Sequence, residues 1–105
     1  MTDFVSVLDQ HARVQPAREF LRAAGRSFSY GEFAELSRRA ATVLRGQGIG
    51  AGDKVALLCF NTPGFAIALF GAWRLGAAVV PINHKLQAPE IDYVLRHSGS
   101  KLCVV

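Results

Sequence analysis

The chain has 105 residues, half of them hydrophobic, with a mean hydropathy of +0.23 and a formal net charge of +4. That length holds one small domain, and so apolar a composition predicts either a dense core or apolar surface meant for a partner. The basic residues are spread along the chain, with Arg38-Arg39 the only adjacent pair and no basic run interleaved with aromatics, so the excess charge reads as a solvated face and direct nucleic-acid binding is not expected.

Asp3 is placed to cap a first helix carrying Phe4, Val5, Leu8 and Ala12 on one face, which Pro16 ends. Residues 19–22 and 27–30 are two short runs around Gly25, the pattern of a β-hairpin with Gly25 at the positive-φ position; Phe20-Leu21 also fits an extended helix. Ser29-Tyr30-Gly31-Glu32 is a capping box. The helix after it should turn Phe33, Leu36, Ala40, Val43 and Leu44 inward and Glu35, Arg38, Arg39, Thr42 and Arg45 outward. Gly46, Gly48, Gly50 and Gly52 then mark a loop. It follows a helix and precedes a strand, the wrong order for a phosphate held at a helix N-terminus, so it reads as a turn.

Residues 53–83 form the central unit: an apolar run of strand length, a helix, and a second apolar run. Asn61 or Thr62 should cap the helix, Pro63 suits its first turn, and Gly76 closes it. Phe65, Ile67, Leu69, Phe70, Trp73 and Leu75 make it apolar on most of its circumference, so it should be covered on both sides. Two strands joined through a helix run parallel with a right-handed crossover. Arg74 is the one charged residue between Val55 and Asn83. Pro89 begins a third helical segment with Ile91, Val94 and Leu95 inward; Ala88 is a weak cap and predicts a frayed start. Ser98-Gly99-Ser100 is a turn, and residues 101–105 are another apolar strand. A buried parallel strand needs covering on its far edge, so the sequence is expected to be truncated. The fold class is therefore α/β: a parallel βαβαβ sheet layered with helices, preceded by a helix and a β-hairpin, as a partial subdomain of something larger.

Cys59 and Cys103 sit in separate apolar runs at no metal or redox spacing, which predicts buried reduced thiols and a cytoplasmic setting. The N-terminus has no basic region followed by an apolar core, and residues 65–82 are broken by Arg74, glycines and Pro81, so neither a signal peptide nor a membrane span is expected.

Several stretches carry a resemblance. Ser27-Phe28-Ser29-Tyr30-Gly31-Glu32-Phe33 resembles an (F/L)-(S/T)-Y-x-E-L entry from hairpin to helix, and Gly48-Ile49-Gly50-Ala51-Gly52-Asp53-Lys54-Val55-Ala56 resembles G-(V/I)-x-x-G-D-(R/K)-V-A. Asn61-Thr62-Pro63 with Phe65 resembles N-(S/T)-x-(E/D)-(F/W), with Gly64 where an acidic residue is usual. Leu75-Gly76-Ala77-Ala78-Val79-Val80-Pro81-Ile82-Asn83 resembles x-G-A-x-x-x-P-(L/I)-N, and Ser98-Gly99-Ser100-Lys101 resembles S-(G/E)-(A/S)-(K/R) before a strand. In this order they are similar to the N-terminal part of the adenylate-forming (AMP-binding) enzymes of acyl-CoA synthetase type, in register from about Ser27 onward, so that residues 1–105 match the first part of that family's large N-terminal domain.

The resemblance implies an ATP-dependent reaction: a carboxylate attacks the α-phosphate of ATP, and a thiol, usually that of CoA, then takes the acyl group. It implies ATP, magnesium and CoA for a full-length enzyme, none of them expected to bind this segment well alone, with the remainder of that enzyme and a small carboxylic acid as partners. The family's Ser/Thr/Gly-rich loop with lysine, its Y-x-x-T-E segment, its ribose aspartate and its C-terminal lysine are not in this sequence, so no catalytic residue is assigned and this segment alone is expected to be inactive.

Two residues are assigned to cofactor binding. Lys85, at a position where some CoA-using members carry a basic residue, is expected to approach the nucleotide phosphate of CoA, and His84 to line the same opening; Asn83 should tie down the loop. His11 and His97 have no partner at motif spacing, and Asp9, Glu19, Glu32, Glu35, Glu90 and Asp92 form no acid–base pair. Phe70 and Trp73 read as core, and Ser98 fits no nucleophile elbow. The rival readings are a stand-alone α/β module that buries open sheet edges by self-association, and a small flavodoxin-like nucleotide-binding domain, against which the missing phosphate loop argues.

Overall fold

The first helix forms over Phe4–Val14 (α1), and Asp3 caps it: its carboxylate accepts from the Ser6 amide at 2.7 Å. The computed structural model describes residues 3–23, 25–59, 62–83 and 85–104, the side chains of Ala23 and Cys59 excepted. Leu8 is buried as expected, but Phe4 is 70% exposed. Its ring lies on Trp73 with centroids 5.5 Å apart, so the first turn covers the rim of the core instead of filling it.

The hairpin alternative is the one taken. Strands Glu19–Ala23 (β1) and Arg26–Ser29 (β2) pair antiparallel, and Gly25 adopts φ +76°, which costs little only without a Cβ. Phe20 from β1 packs against Tyr30 and Phe33 at 4.9 and 4.8 Å between centroids. The next helix, Tyr30–Gly46 (α2), opens with both halves of the capping box: the Glu32 amide donates to Ser29 Oγ and the Ser29 amide to Glu32 Oε1, each at 3.1 Å. Ser29→Ala is expected to lower stability by about 1 kcal/mol, and Ser29→Asp to keep most of it, as read from denaturant midpoints.

The inward face of α2 is rotated from the expected one. Phe33, Ala34, Ser37, Ala41 and Leu44 are buried, while Val43 is 64% exposed. The cause is the close approach of a later helix, Pro63–Arg74 (α3). A Cβ on its Gly71 would stand 2.8 Å from Ala40 Cβ and 3.0 Å from the Ala41 amide nitrogen. Contact this tight selects small side chains, so the alanines and Ser37 take the interface and Val43 turns outward.

The remaining elements are strands Lys54–Cys59 (β3), Ala78–Asn83 (β4) and Leu102–Val104 (β5), and helix Ala88–Ser98 (α4). The sheet order is β4-β3-β5, all parallel, with Leu57 of β3 opposite Pro81 of β4 and Val104 of β5. From β3 the chain steps through α3 to one neighbour; from β4 it steps back through α4 to the other. Right-handed crossovers then put α3 and α4 on opposite faces. α3 lies between the sheet and α2, and its two sides feed two clusters. Phe65, Leu69 and Leu75 pack with Val55, Leu57 and Ala72; Ile67 and Phe70 pack with Leu8, Phe28 and Phe33. Thr62 is the N-cap of α3 but makes no side-chain cap bond; the other candidate, Asn61, lies outside the described residues. Gly76 takes φ +76° just past the helix, as expected.

The expected cap of α4 is corrected. Gln87, one residue earlier than Ala88, is the N-cap, and its amide donates to Glu90 Oε1 at 3.1 Å. The glycine loop before β3 is tied down at the N-terminal end of the sheet. The Gly50 amide donates to Asp53 Oδ2 at 2.8 Å, and Lys101 Nζ donates to the Gly48 carbonyl at 2.7 Å while standing 3.5 Å from Asp53. Two of the sequence stretches that carry the resemblance thus meet in a structural clamp. Cys103 is free and half-buried, where a buried thiol was expected; the side chain of Cys59 lies outside the described residues.

Candidate functional site

Open parallel sheets bind ligands beyond the carboxyl ends of their strands, where adjacent strands send the chain to opposite faces. Here that place lies between β3, which leads to α3, and β4, which leads to α4. The loop after β4 is built by Asn83. Its Oδ1 accepts from the Lys85 amide at 2.9 Å, and its backbone carbonyl accepts from the Leu86 amide at 3.1 Å. The side chain thus mimics a turn carbonyl and fixes the backbone that carries Lys85, the tethering role expected of it. Lys85 is exposed and forms no ion pair with another described residue. His84 lies outside the described residues. At the same end of the sheet, Leu57, Leu58, Thr62, Phe65, Ala68 and Val104 line a mainly apolar cleft of about 210 Å³.

The carboxylates are committed to structure. Asp3, Glu32 and Glu90 cap helices. Glu19 pairs with Arg22, Glu35 with Arg38 and Arg39, Asp53 with Lys101, and Asp92 with Arg96. Asp9 accepts two hydrogen bonds from Arg74, at 2.9 Å from Nη1 and 2.6 Å from Nη2. Those bonds, together with the charges of Arg74, Arg38 and Arg13, hold its carboxyl below the usual range against the opposing effect of burial. A carboxyl so held is unsuited to donate a proton near neutrality. Among the described residues no three His, Cys, Asp or Glu side chains converge.

His11 of α1 faces Tyr30 of α2, and His97 stacks on Tyr93 within α4, so the two histidines are not brought together. Phe70 meets Phe33 and Trp73 edge-on, both at 5.3 Å, inside the core. Ser98 Oγ is shared with the Leu95 carbonyl and Ser100 Oγ, with no base in the set.

The arrangement that sequence reasoning missed is the Arg74 knot. Arg74 Nε donates to Ser37 Oγ at 2.7 Å, and the Ser37 hydroxyl in turn donates to the Ala34 carbonyl at 2.8 Å. With Asp9 this joins α1, α2 and α3. The signal was a lone charge in a long apolar stretch; its partner lies 65 positions away, beyond any local pattern.

Comparison with known proteins accords with this geometry. The family model described as AMP-binding enzyme matches residues 8–105. The long-chain-fatty-acid–CoA ligase FadD13 of Mycobacterium tuberculosis is 45% identical over 76 residues, covering 72% of this chain and 15% of that protein. A feruloyl-CoA synthase of Amycolatopsis is 35% identical over 95 residues, covering 90% and 19%. The crystal structure of the inhibitor-bound N-terminal domain of FACL13 from Mycobacterium tuberculosis matches with a TM-score of 0.92 at 38% identity, over 98% of this chain and 26% of that one. The N-terminal subdomain of Klebsiella oxytoca NpsA gives 0.90 at 26% identity, over 99% and 27%. The chain thus spans less than a fifth of the length of these curated relatives. With a family model matched across nearly its whole length and a parallel sheet that superimposes on these N-terminal domains, the chain belongs to the AMP-binding enzyme family.

Proposed function

We propose that this chain is the N-terminal part of the large N-terminal domain of an ATP-dependent acid–thiol ligase. The observation that carries the reading is the family match over residues 8–105, among relatives whose names are CoA ligases and one fatty acid–acyl-carrier-protein ligase. In the proposed reaction a carboxylate oxygen attacks the α-phosphate of ATP and expels pyrophosphate. The thiol of CoA then attacks the acyl carbon and AMP leaves. Phosphate chemistry of this kind needs cations and donors aimed at developing charge. Among the described residues no three His, Cys, Asp or Glu side chains gather to hold a metal ion, and ATP and magnesium are assigned to the rest of the enzyme.

The role left to this chain is architectural, with one binding contribution. Asn83 fixes the loop after β4, and Lys85 is assigned to the nucleotide phosphate of CoA; the same cofactor role is proposed for His84. The partners proposed are the remainder of the ligase and a small carboxylic acid, in the cytoplasm. No helix among the described residues is long and apolar enough to cross a membrane.

ATP–pyrophosphate exchange across a panel of acids tests the reading. The 105-residue polypeptide should give none, and the same chain at the head of a complete ligase should give acid-dependent exchange. In that ligase Lys85→Ala is expected to raise the KM for CoA roughly tenfold, the loss of one charged contact, with the KM for ATP in exchange unmoved. A change confined to ATP would remove Lys85 from the thiol site.

One observation favours a second reading. β4 and β5 are each paired on one side only among the described residues, and Val43, Leu44, Leu102, Cys103 and Val104 border an open groove of about 370 Å³ beside β5. A stand-alone module would close those edges by pairing with a second copy. Sedimentation at several concentrations would then give one defined oligomer.

A further inference from the structure

Helix α1 gives one face to the core and leaves a second apolar face in water. Leu8 is buried and Ala12 packs beside it. Phe4, Val7 and Val14 lie on the other face, 70%, 38% and 75% exposed. His11, half-buried against Tyr30 with ring centroids 5.0 Å apart, completes the row. The steps from Phe4 to Val7, His11 and Val14 are three, four and three residues. That is a strict heptad seam, narrower than the stripe a helix turns toward a globular core, and its geometry suits a second helix. These side chains leave on the order of 300 Å² of apolar surface in water, the size of patch that marks an interaction site. At the wide end, Asp3, Phe4, Val5 and Trp73 border an open hollow of about 370 Å³. The two ends of α1 also differ in charge. Asp3 stands at the N-terminus, and His11 and Arg13 occupy the last turn. Arg13 is exposed and forms no ion pair with another described residue. Phe4 and Val7 precede the residues that the family model matches, so that match does not account for the seam.

We infer that α1 is a self-association surface: two copies of this chain pair their α1 helices antiparallel along Phe4, Val7, His11 and Val14. A second copy is the occupant because the seam is self-complementary in that order. A two-fold axis across the middle of α1 sets Phe4 against Val14 of the second copy and Val7 against His11, so each wide side chain meets a narrow one. The hollow beside Trp73 then receives Val14 of the second copy. A parallel pair would press Phe4 on Phe4 and His11 on His11. The antiparallel order also brings the end carrying Asp3 beside the end carrying His11 and Arg13, and it opposes the two helix dipoles. With the flanking Gln10, Gln15 and Trp73 the pair buries on the order of 1,000 Å², the lower bound for a specific interface, so the dimer is reversible. This surface is not the open sheet edge, since α1 packs on α2 and α3. The inference stands apart from the proposed reaction.

Sedimentation equilibrium of the purified chain from about 10 μM to about 1 mM tests the inference. The parent should pass from monomer to dimer. Val7→Glu and Val14→Glu each put an unpaired carboxylate into the seam and should raise the Kd about tenfold or more. Val43→Glu charges the groove beside β5 and should leave the Kd unchanged. All three positions are exposed, so thermal unfolding of the monomers should barely move. On oxidation Phe4→Cys combined with Val14→Cys should form a disulfide-linked dimer beyond the level that Cys59 and Cys103 give in the parent, and Phe4→Cys alone should not. A parent that stays monomeric throughout, or a dimer weakened by Val43→Glu and untouched by Val14→Glu, would overturn the seam. Trapping by Phe4→Cys alone would overturn the antiparallel order.

Discussion

Arg74→Met is expected to destabilise the fold by about 3–4 kcal/mol, a large share of the ~5–15 kcal/mol that holds a domain together. The guanidinium is 12% exposed and its Asp9 partner 26%. Without Arg74, Asp9 is left as a half-buried carboxylate with Arg38, 3.6 Å away, and the weaker influence of Arg13, and Ser37 loses the donor to its hydroxyl. Most of the cost is that stranded charge, so Asp9→Leu in the Arg74→Met background should restore a substantial part of the stability. The acid limb of the stability curve carries the same information. The carboxyl of Asp9 is held below its usual range in the folded state, chiefly by the hydrogen bonds from Arg74. Its stabilisation is therefore complete above the ordinary aspartate value of about pH 4 and is lost as pH falls through the lowered folded value. Arg74→Met should accordingly show a shallower loss of stability on acidification. Denaturant unfolding from neutral pH downward measures both effects, and a difference between parent and variant that stays constant with pH would refute the knot as described.

Gly71→Val is expected to prevent α2 and α3 from seating, and Gly71→Ala to cost about 1–2 kcal/mol. An added Cβ would stand 2.8 Å from Ala40 Cβ, a distance such atoms do not adopt, and 3.0 Å from the Ala41 amide nitrogen. Overpacking of this kind costs about 1–3 kcal/mol, and the better helix propensity of alanine offsets up to about 1 kcal/mol of it. Ala40→Gly combined with Gly71→Ala relieves the side-chain clash and leaves the backbone one, so the rescue should be partial. Thermal unfolding of the three variants checks the order. A Gly71→Ala protein more stable than the parent would mean that the helices sit farther apart than 2.8 Å implies.

The pieces of the fold that were legible in the sequence are those whose cause is local. Asp3, the Ser29–Glu32 box and Gly25 act within three or four residues, and each makes the predicted bond or dihedral. The parallel order followed from strand, helix and strand in sequence, because a crossover of that length leaves no other pairing. Errors came where a neighbour decides. Val43 has the spacing of a core residue on an isolated helix, yet Gly71 brings α3 against the alanine face and turns Val43 out. Phe4 matches the apolar stripe of α1, yet that turn overhangs Trp73. At the candidate site the loop tether was foreseeable, since an asparagine ahead of a turn commonly bonds two residues on, as Asn83 does with Lys85. The exposure of Tyr93 was not, because exposure of an aromatic at helical spacing cannot be told from burial without knowing what packs on the helix.

The sequence by itself determined most of the element types, the parallel βαβ connection, the caps at Asp3 and Ser29 and the family, all properties of short range or of residue identity in order. Tertiary structure alone decided which face of α2 is inward, that Arg74 closes on Asp9 and Ser37, and that Gly48, Asp53 and Lys101 meet in one clamp. Each of these depends on the distance between segments far apart in the chain. Such distances are set by the packing of whole side-chain volumes, which local pattern does not encode.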